Sequence, residues 1–322
     1  MRKSIFLTLL LLAAAHTVSV AQCCSAGNPY FYSDQSAPAG KQLLLFAGYK
    51  YSTSDDYYRN SEKYPIEFID KAFYNYLNLQ IGYGLSDKVG LEADLGYFLN
   101  KTETYLLPDW DDNRGYGVGD MRLVVKWLAY KNFVKRYSVI PSFGVKLPVG
   151  VFDQEVNNVK LPITVQPSSG SFRYQANLFV TKGFRNPAWQ LDFYGSFEYA
   201  QRIRSKNFDY KYGNQFLFSV IGSRKIGKKL NTGIELRSEN RGRALRENEQ
   251  VVESSGHHIV YVIPHISFRI AGEWAVMTNF ELPVYRYYNG VQLANSFALS
   301  ITLSNKINLS ERVKVDRIEL NH

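Results

Sequence analysis

The stretch HIVYVIPHISFRIAGEWAVMTNFELPVYRYYNG, running from His258 to Gly290, decides how this chain folds. Apolar residues recur at every second position, while the row between them carries His265, Arg269, Asn279 and Glu281. Successive side chains of a β-strand point to opposite faces, so the stretch reads as two strands joined at Ala271-Gly272-Glu273. A soluble sandwich would turn the apolar row inward, whereas a membrane barrel would turn it outward to lipid.

The N-terminus bears on that choice. Arg2 and Lys3 precede an apolar run from Ile5 to Ala15, and the small residues Ser19 and Ala21 occupy the −3 and −1 positions of a cleavage site. This is a secretory signal pattern, with 1–21 expected to be removed on export and 22–40 left as a periplasmic N-terminal arm. No later apolar run reaches the roughly 18 to 20 residues of a spanning helix.

Composition favours strands, with 24 Tyr, 20 Phe and 4 Trp. The mean hydropathy of −0.25 fits a barrel as well as a soluble protein, because lipid-facing and lumen-facing residues average out. The net charge of +9 comes from Lys and Arg interleaved with acids along the chain. That is no nucleic-acid footprint; a basic surface on an exported protein suits anionic head groups or anionic solutes. The only cysteines, Cys23 and Cys24, are adjacent, so no disulfide framework is present. Gln22 before Cys23 makes a poor lipidation site, and two thiols are only half a metal site, so this pair is a weak metal candidate in a plain N-terminal arm.

About twelve segments of period two follow, at 41–53, 72–85, 88–100, 118–130, 136–149, 171–183, 188–202, 211–225, 229–242, 257–271, 273–286 and 291–303. Their connections alternate in length. Short links fall at Leu85-Ser86-Asp87-Lys88, Tyr130-Lys131-Asn132, Phe184-Arg185-Asn186-Pro187, Ile226-Gly227-Lys228-Lys229 and Ala271-Gly272-Glu273. Long polar links lie between them, near 54–70, 101–117, 150–170, 203–210 and 243–256. Short turns at one end and long loops at the other mark an outer-membrane barrel. The strands also exceed the usual 5 to 6 residues of globular sheets, at roughly the 9 to 11 needed to cross a bilayer at a tilt.

Side-chain parity agrees. In Trp189 to Arg202, Trp189, Leu191, Phe193, Phe197 and Tyr199 form one row, against Gln190, Asp192, Ser196 and Glu198. Leu91, Ala93, Leu95 and Tyr97 oppose Glu92, Asp94 and Asn100, and Leu123, Val125 and Trp127 oppose Arg122 and Lys126. Assigning every polar row to the lumen gathers Glu92, Asp94, Asp120, Arg122, Lys126, Lys146, Arg173, Asp192, Glu198, Arg202, Glu235, Arg237, Glu239, Arg241, His265, Arg269 and Glu281 as candidate pore-lining residues. Two readings stay open. The rows guide a solute through a channel, or they form cross-strand ion pairs that plug a small barrel and stiffen it.

Strand nine and its loop read TGIELRSENRGRALRENE, in which Arg243 and Arg246 follow the alternating Glu235, Arg237, Glu239 and Arg241. Such a cluster at the outer mouth would select anions or hold lipopolysaccharide phosphates. An enzymatic reading needs a nucleophile with a base in reach. Ser238, Asn240 and His258 share the outward parity, as in a lipid-facing phospholipase barrel, but that family carries its His two residues before the Ser, where this chain has Leu236. No catalytic residue is therefore expected.

Short motifs carry a family resemblance. Tyr261-Val262-Ile263-Pro264, Trp274 at the next strand, Leu282-Pro283-Val284-Tyr285, Asn289-Gly290-Val291-Gln292-Leu293, Gly117-Val118-Gly119-Asp120 and the CCSAGNP start resemble the outer-membrane barrels grouped as the MetA-pathway of phenol degradation or transporter-like family, especially its members in Bacteroidetes. The resemblance covers most of the chain in layout. It implies a barrel that passes small hydrophobic molecules and has no catalytic residues. One departure is that SNKINLSERVKVDRIELNH follows Leu303, where such barrels usually end in an aromatic residue.

The expectation is a monomeric all-β, antiparallel up-and-down transmembrane barrel of about twelve strands, spanning 41–303, with both termini periplasmic. Residues 304–322 form a tail or a strand extension. It would act as a passive pore or transporter without cofactors, and its partners would be outer-membrane lipids and lipopolysaccharide, a small-molecule solute and the barrel assembly machinery. A structural or adhesion barrel with a plugged lumen is the alternative, and a lipid-facing hydrolase the third.

Overall fold

The computed structural model describes residues 39–65, 69–106, 110–184, 189–205 and 208–309. The signal segment, Cys23 and Cys24, the turn residues Arg185-Asn186-Pro187 and the chain after Leu309 lie outside them.

The wall is built from β1 (Gln42–Asn60), β2 (Ile69–Gly84), β3 (Val89–Tyr105), β4 (Met121–Trp127), β5 (Tyr137–Leu147), β6 (Arg173–Gly183), β7 (Trp189–Ala200), β8 (Gln215–Ile226), β9 (Leu230–Arg241), β10 (His257–Ala271) and β11 (Trp274–Asn308). Each pairs antiparallel with its chain neighbours, and β11 pairs with β1, so the sheet closes into a ring without a free edge. Closure satisfies the backbone hydrogen bonds that lipid cannot.

The segment β11 is 35 residues long, which as one straight strand would reach about 115 Å at ~3.3 Å per residue, far beyond a hydrocarbon core of ~30 Å. It folds back on itself at Gly290, whose φ of +66° lies in the left-handed region. Residues 274–288 pair with β10 and residues 291–308 with β1. Contacts between the limbs confirm the hairpin: Asn279 Nδ2 donates to Ser300 Oγ at 3.1 Å, and Ser304 Oγ to the Ala275 carbonyl at 3.3 Å. Ten single strands and these two limbs cross the wall twelve times, as the sequence periodicity predicts.

The polarity of the wall is inverted relative to a soluble protein. Phe193, Leu236 and Ile234 are 39%, 50% and 58% exposed, whereas Asp192, Arg237 and Lys50 are 0%, 2% and 1% exposed. A sheet that presents its apolar row and encloses its charges is at equilibrium only when lipid surrounds it. Among the described residues no helix is long and apolar enough to cross a membrane; this chain crosses with strands.

Two sequence expectations need correction, and an open one is decided. The strands near the long-loop end run further than hydropathy indicates: β1 continues to Asn60 through register shifts at Thr53/Ser54 and Ser54/Asp56, and Asn113–Val118 pairs back onto β3. Solvated strand there carries the polar sequence of a loop, so composition cannot mark where the wall ends. Asn100 was expected in the polar inner row, but a bulge between Phe98 and Lys101 moves it outward. There it stands opposite Asn75 and accepts that side chain's amide at 2.6 Å. An extra residue in one strand reverses parity beyond it. Finally, β11 continues past Leu303 to Asn308, and the Leu309 amide donates to the Lys41 carbonyl at 2.8 Å, which identifies 304–308 as strand extension.

Candidate functional site

The site is the interior of the barrel. Parity along each strand sends charged side chains inward, and antiparallel register sets opposite signs beside each other. On β3 and β4, Glu92 meets Arg122 at 2.8 Å and Lys126 at 2.7 Å, and Arg122 also reaches Asp94 at 3.0 Å. Across β5, β6 and β7, Glu198 takes Lys146 at 2.7 Å and Arg173 at 3.0 Å, and accepts the Gln175 amide at 2.8 Å. The third cluster joins β9, β11 and β1. Arg237 lies 2.9 Å from Glu235, 3.5 Å from Glu239 and 3.7 Å from Glu281, and Glu281 holds Lys50 at 2.8 Å. Ser219 Oγ supports Glu235 with a 2.7 Å hydrogen bond.

The three clusters differ in balance. The β3–β4 group has two cations and two carboxylates, the Glu198 group two cations and one carboxylate, and the Arg237 group two cations and three carboxylates. All lie in a dense interior shared with apolar groups. Ile140, Phe179, Tyr194 and Leu217 pack together, as do Ile259, Tyr261, Ile263, Tyr288 and Ala294. Charge pairing repays the cost of desolvation only when the geometry is close, and these clusters meet that condition.

Most of the predicted inner residues are therefore brought together: Glu92, Asp94, Arg122, Lys126, Lys146, Arg173, Glu198, Glu235, Arg237, Glu239 and Glu281 share ion pairs, and Asp192 is buried and accepts both Gln190 amide hydrogen bonds, at 3.0 and 2.8 Å. Arg241 donates to Gln215 at 2.7 Å, and His265 is buried toward the short-turn end. Three of the predicted residues, Arg269, Arg202 and Asp120, lie toward the rims. Arg269 has the inner parity but is exposed at the rim of the wall, near the 271–274 turn. Arg202 lies past the end of β7 in the long-loop end and binds Asp209 and Glu249, which raise its pKa above the ordinary arginine value, the Asp209 hydrogen bond most. Lys50 is central to the third cluster but is not among the predicted inner residues, although its parity with Ser52 is visible in Gly48-Tyr49-Lys50-Tyr51-Ser52.

Asp120 serves the long-loop end instead of the waist. Its carboxylate accepts from Ser168 Oγ at 2.7 Å, from the Ser169 amide at 3.0 Å and from Ser169 Oγ at 2.5 Å. The connection between β5 and β6 is thereby tied across the mouth, with Lys101 Nζ donating to the Gln166 carbonyl at 3.1 Å and Tyr212 Oη to the Ser169 carbonyl at 3.1 Å. The fit is close: a Cβ on Gly115 would stand 1.9 Å from the Val165 carbonyl oxygen. A small second sheet of Ile203–Ser205, Phe208–Lys211, Leu245–Arg246 and Gln250–Val251 covers the neighbouring part of this end. Arg246 belongs to it, and Arg243 donates to Asn289 at 3.4 Å.

The short-turn end is open by contrast. A cavity of about 510 Å³ enters there, lined by side chains that include Phe46, Phe184, Met277, Arg136, Lys225 and His265. The surrounding turns carry Lys131, Lys135 and Arg136 on one side and Lys225, Lys228 and Lys229 on another, against Asp87 and Glu273.

On the outer wall, Ser238 Oγ and His258 Nε2 are 3.0 Å apart, and Asn240 is the register partner of His258. The His258 ring packs edge-on to Tyr285 at 5.6 Å, and no group of three or more metal-ligating side chains occurs among the described residues. The pair fits a polar contact in the aromatic zone of the wall.

No family model and no curated protein matches the chain. Among solved structures, an outer membrane channel from Pseudomonas putida F1 is similar over 88% of this chain and 100% of its own, with a TM-score of 0.70 at 15% identity. The β domain of the Bordetella autotransporter BrkA is similar over 83% of this chain and 100% of its own, with a TM-score of 0.50 at 9% identity. The likeness is one of fold, and with the exposed apolar belt it identifies the chain as a bacterial outer-membrane β-barrel.

Proposed function

We propose that this barrel is a passive conduit for small hydrophobic or anionic solutes, seen in its closed form, with the short-turn end and both termini periplasmic. The observation that carries the reading is the chemistry of the waist. A permanent plug gains nothing from charge, since apolar residues of similar volume are often as stabilising as a buried ion pair, or more so. A lumen that must open needs walls that water can wet. The ion-paired rows of β3–β4, β5–β7 and β9–β11–β1 provide such walls, and a vestibule of about 510 Å³ opens at the short-turn end. The fold likeness to an outer membrane channel supports the reading. So do the short motifs from Tyr261 to Leu293, which resemble those of the transporter-like group.

Conductance across planar bilayers tests it. The wild-type barrel is expected to open intermittently, and Glu281→Gln, which removes the shared partner of Lys50 and Arg237, to raise the open fraction. Silence from both proteins, with no solute flux into liposomes, would sink the proposal. It would favour the plugged structural barrel, which the burial of Arg237 and Lys50 supports.

A further inference from the structure

We infer that the vestibule at the short-turn end is a binding site for small amphipathic monoanions, of the class of aromatic carboxylates. The inference deepens the conduit reading and rests on it for the direction of traffic, but it concerns binding and is measured without flux.

The lining combines apolar, cationic and neutral polar side chains. Phe46, Phe184 and Met277 supply an apolar surface, Arg136 and Lys225 supply charge, and neutral polar side chains such as Gln190, Asn231 and Thr302 fill much of the rest. Among the described residues no aspartate or glutamate lines the cavity. The nearby carboxylate of Asp192 is buried behind Gln190, which holds both of its oxygens. The Arg136 guanidinium is positioned by its Nη1 donation to the Phe184 carbonyl at 3.0 Å, which fixes its planar fork at the rim and leaves its other nitrogens to meet a carboxylate.

The field outside acts in the same sense. Lys131, Lys135, Lys228 and Lys229 in the surrounding turns add positive charge against Asp87 and Glu273, and a concave mouth with low-dielectric walls concentrates ions of the opposite sign. A volume of about 510 Å³ falls within the range of roughly 300 to 1,000 Å³ found for small-molecule sites. An inorganic anion would leave the apolar surface unused, and a neutral hydrocarbon would leave the cations unused. A ligand with both an apolar ring and a carboxylate uses the apolar and the cationic parts together.

Isothermal titration of the full chain in uncharged detergent at low ionic strength tests this with three probes of similar size and different charge: benzoate, benzyl alcohol and benzylamine. Benzoate is expected to bind at least tenfold more tightly than the alcohol, and benzylamine not detectably. Arg136→Gln with Lys225→Gln should bring benzoate down to the affinity of the alcohol while leaving the alcohol unchanged. Arg136 sits in an exposed turn and Lys225 is exposed at the end of β8, so the barrel is expected to fold. Met277→Trp, which fills the cavity, should weaken both ligands. Equal affinity for the three probes, or benzoate binding indifferent to the double substitution, would overturn the proposal. Displacement of benzoate by an equal concentration of inorganic phosphate would also overturn it, because the site would then be a charged collar alone. A wild-type barrel that binds benzoate but passes none in liposomes keeps the site and overturns only the conduit.

Discussion

Lys50 and Glu281 form a 2.8 Å ion pair inside the barrel, although 231 residues separate them in the chain. Lys50 belongs to the first strand, and Glu281 to the first limb of the last segment. The pair therefore forms only when the barrel closes. Removing one partner leaves a buried charge with too little compensation, which typically costs about 3–5 kcal/mol. Lys50→Met is expected to lower stability by about that amount, and Lys50→Met with Glu281→Gln to recover most of it. Urea titration of the barrel in lipid vesicles reads both; equal stability of the single and double variants would contradict the coupling.

Glu198 neutralises both Lys146 and Arg173. Glu198→Gln leaves two cations on one side of the lumen, so an open barrel should become more anion-selective. The reversal potential in a salt gradient should shift toward that of the anion, whereas a shift toward the cation would mean that these side chains do not face the ion path.

The outer face is tested by charge. Phe193 is 39% exposed on the apolar wall, and Phe193→Arg is expected to destabilise the barrel by about 2–4 kcal/mol, the cost found near a bilayer midplane. Ser196→Ala, on the inner row of the same strand, should cost much less. Comparable losses would argue against the assignment of faces.

Asp120 holds the long β5–β6 connection through Ser168 and Ser169. Asp120→Ala removes three hydrogen bonds from that tether, and local opening should increase. Limited proteolysis of the folded protein should cut between residues 148 and 172 at least tenfold faster than in the wild type. Unchanged cleavage would show that the fit around Gly115 holds the loop without Asp120.

The wall itself was legible because lipid imposes a simple rule. Phe193 and Asp192 alternate in the sequence as they do in space, and the long and short connections alternate with them. Asn100 shows where the rule stops. A bulge adds one residue to a strand, leaves no mark in hydropathy and reverses the faces beyond it. Arg202 and Arg269 sit at the rims for a related reason, since parity continues along the chain while the lumen does not. The vestibule cations were visible only as basic turns, and nothing local indicates that Arg136 and Lys225 border one cavity.

In the stretch from His258 to Gly290, the sequence determined that Ile266, Phe268 and Trp274 would share a row apart from His265, Asn279 and Glu281. A period of two is a property of the extended backbone and needs no partner. Only the closed barrel decided which charges meet. Glu281 finds Arg237 on a strand two places away across the ring and Lys50 at the far end of the chain. Closure and register, and not local preference, set those distances.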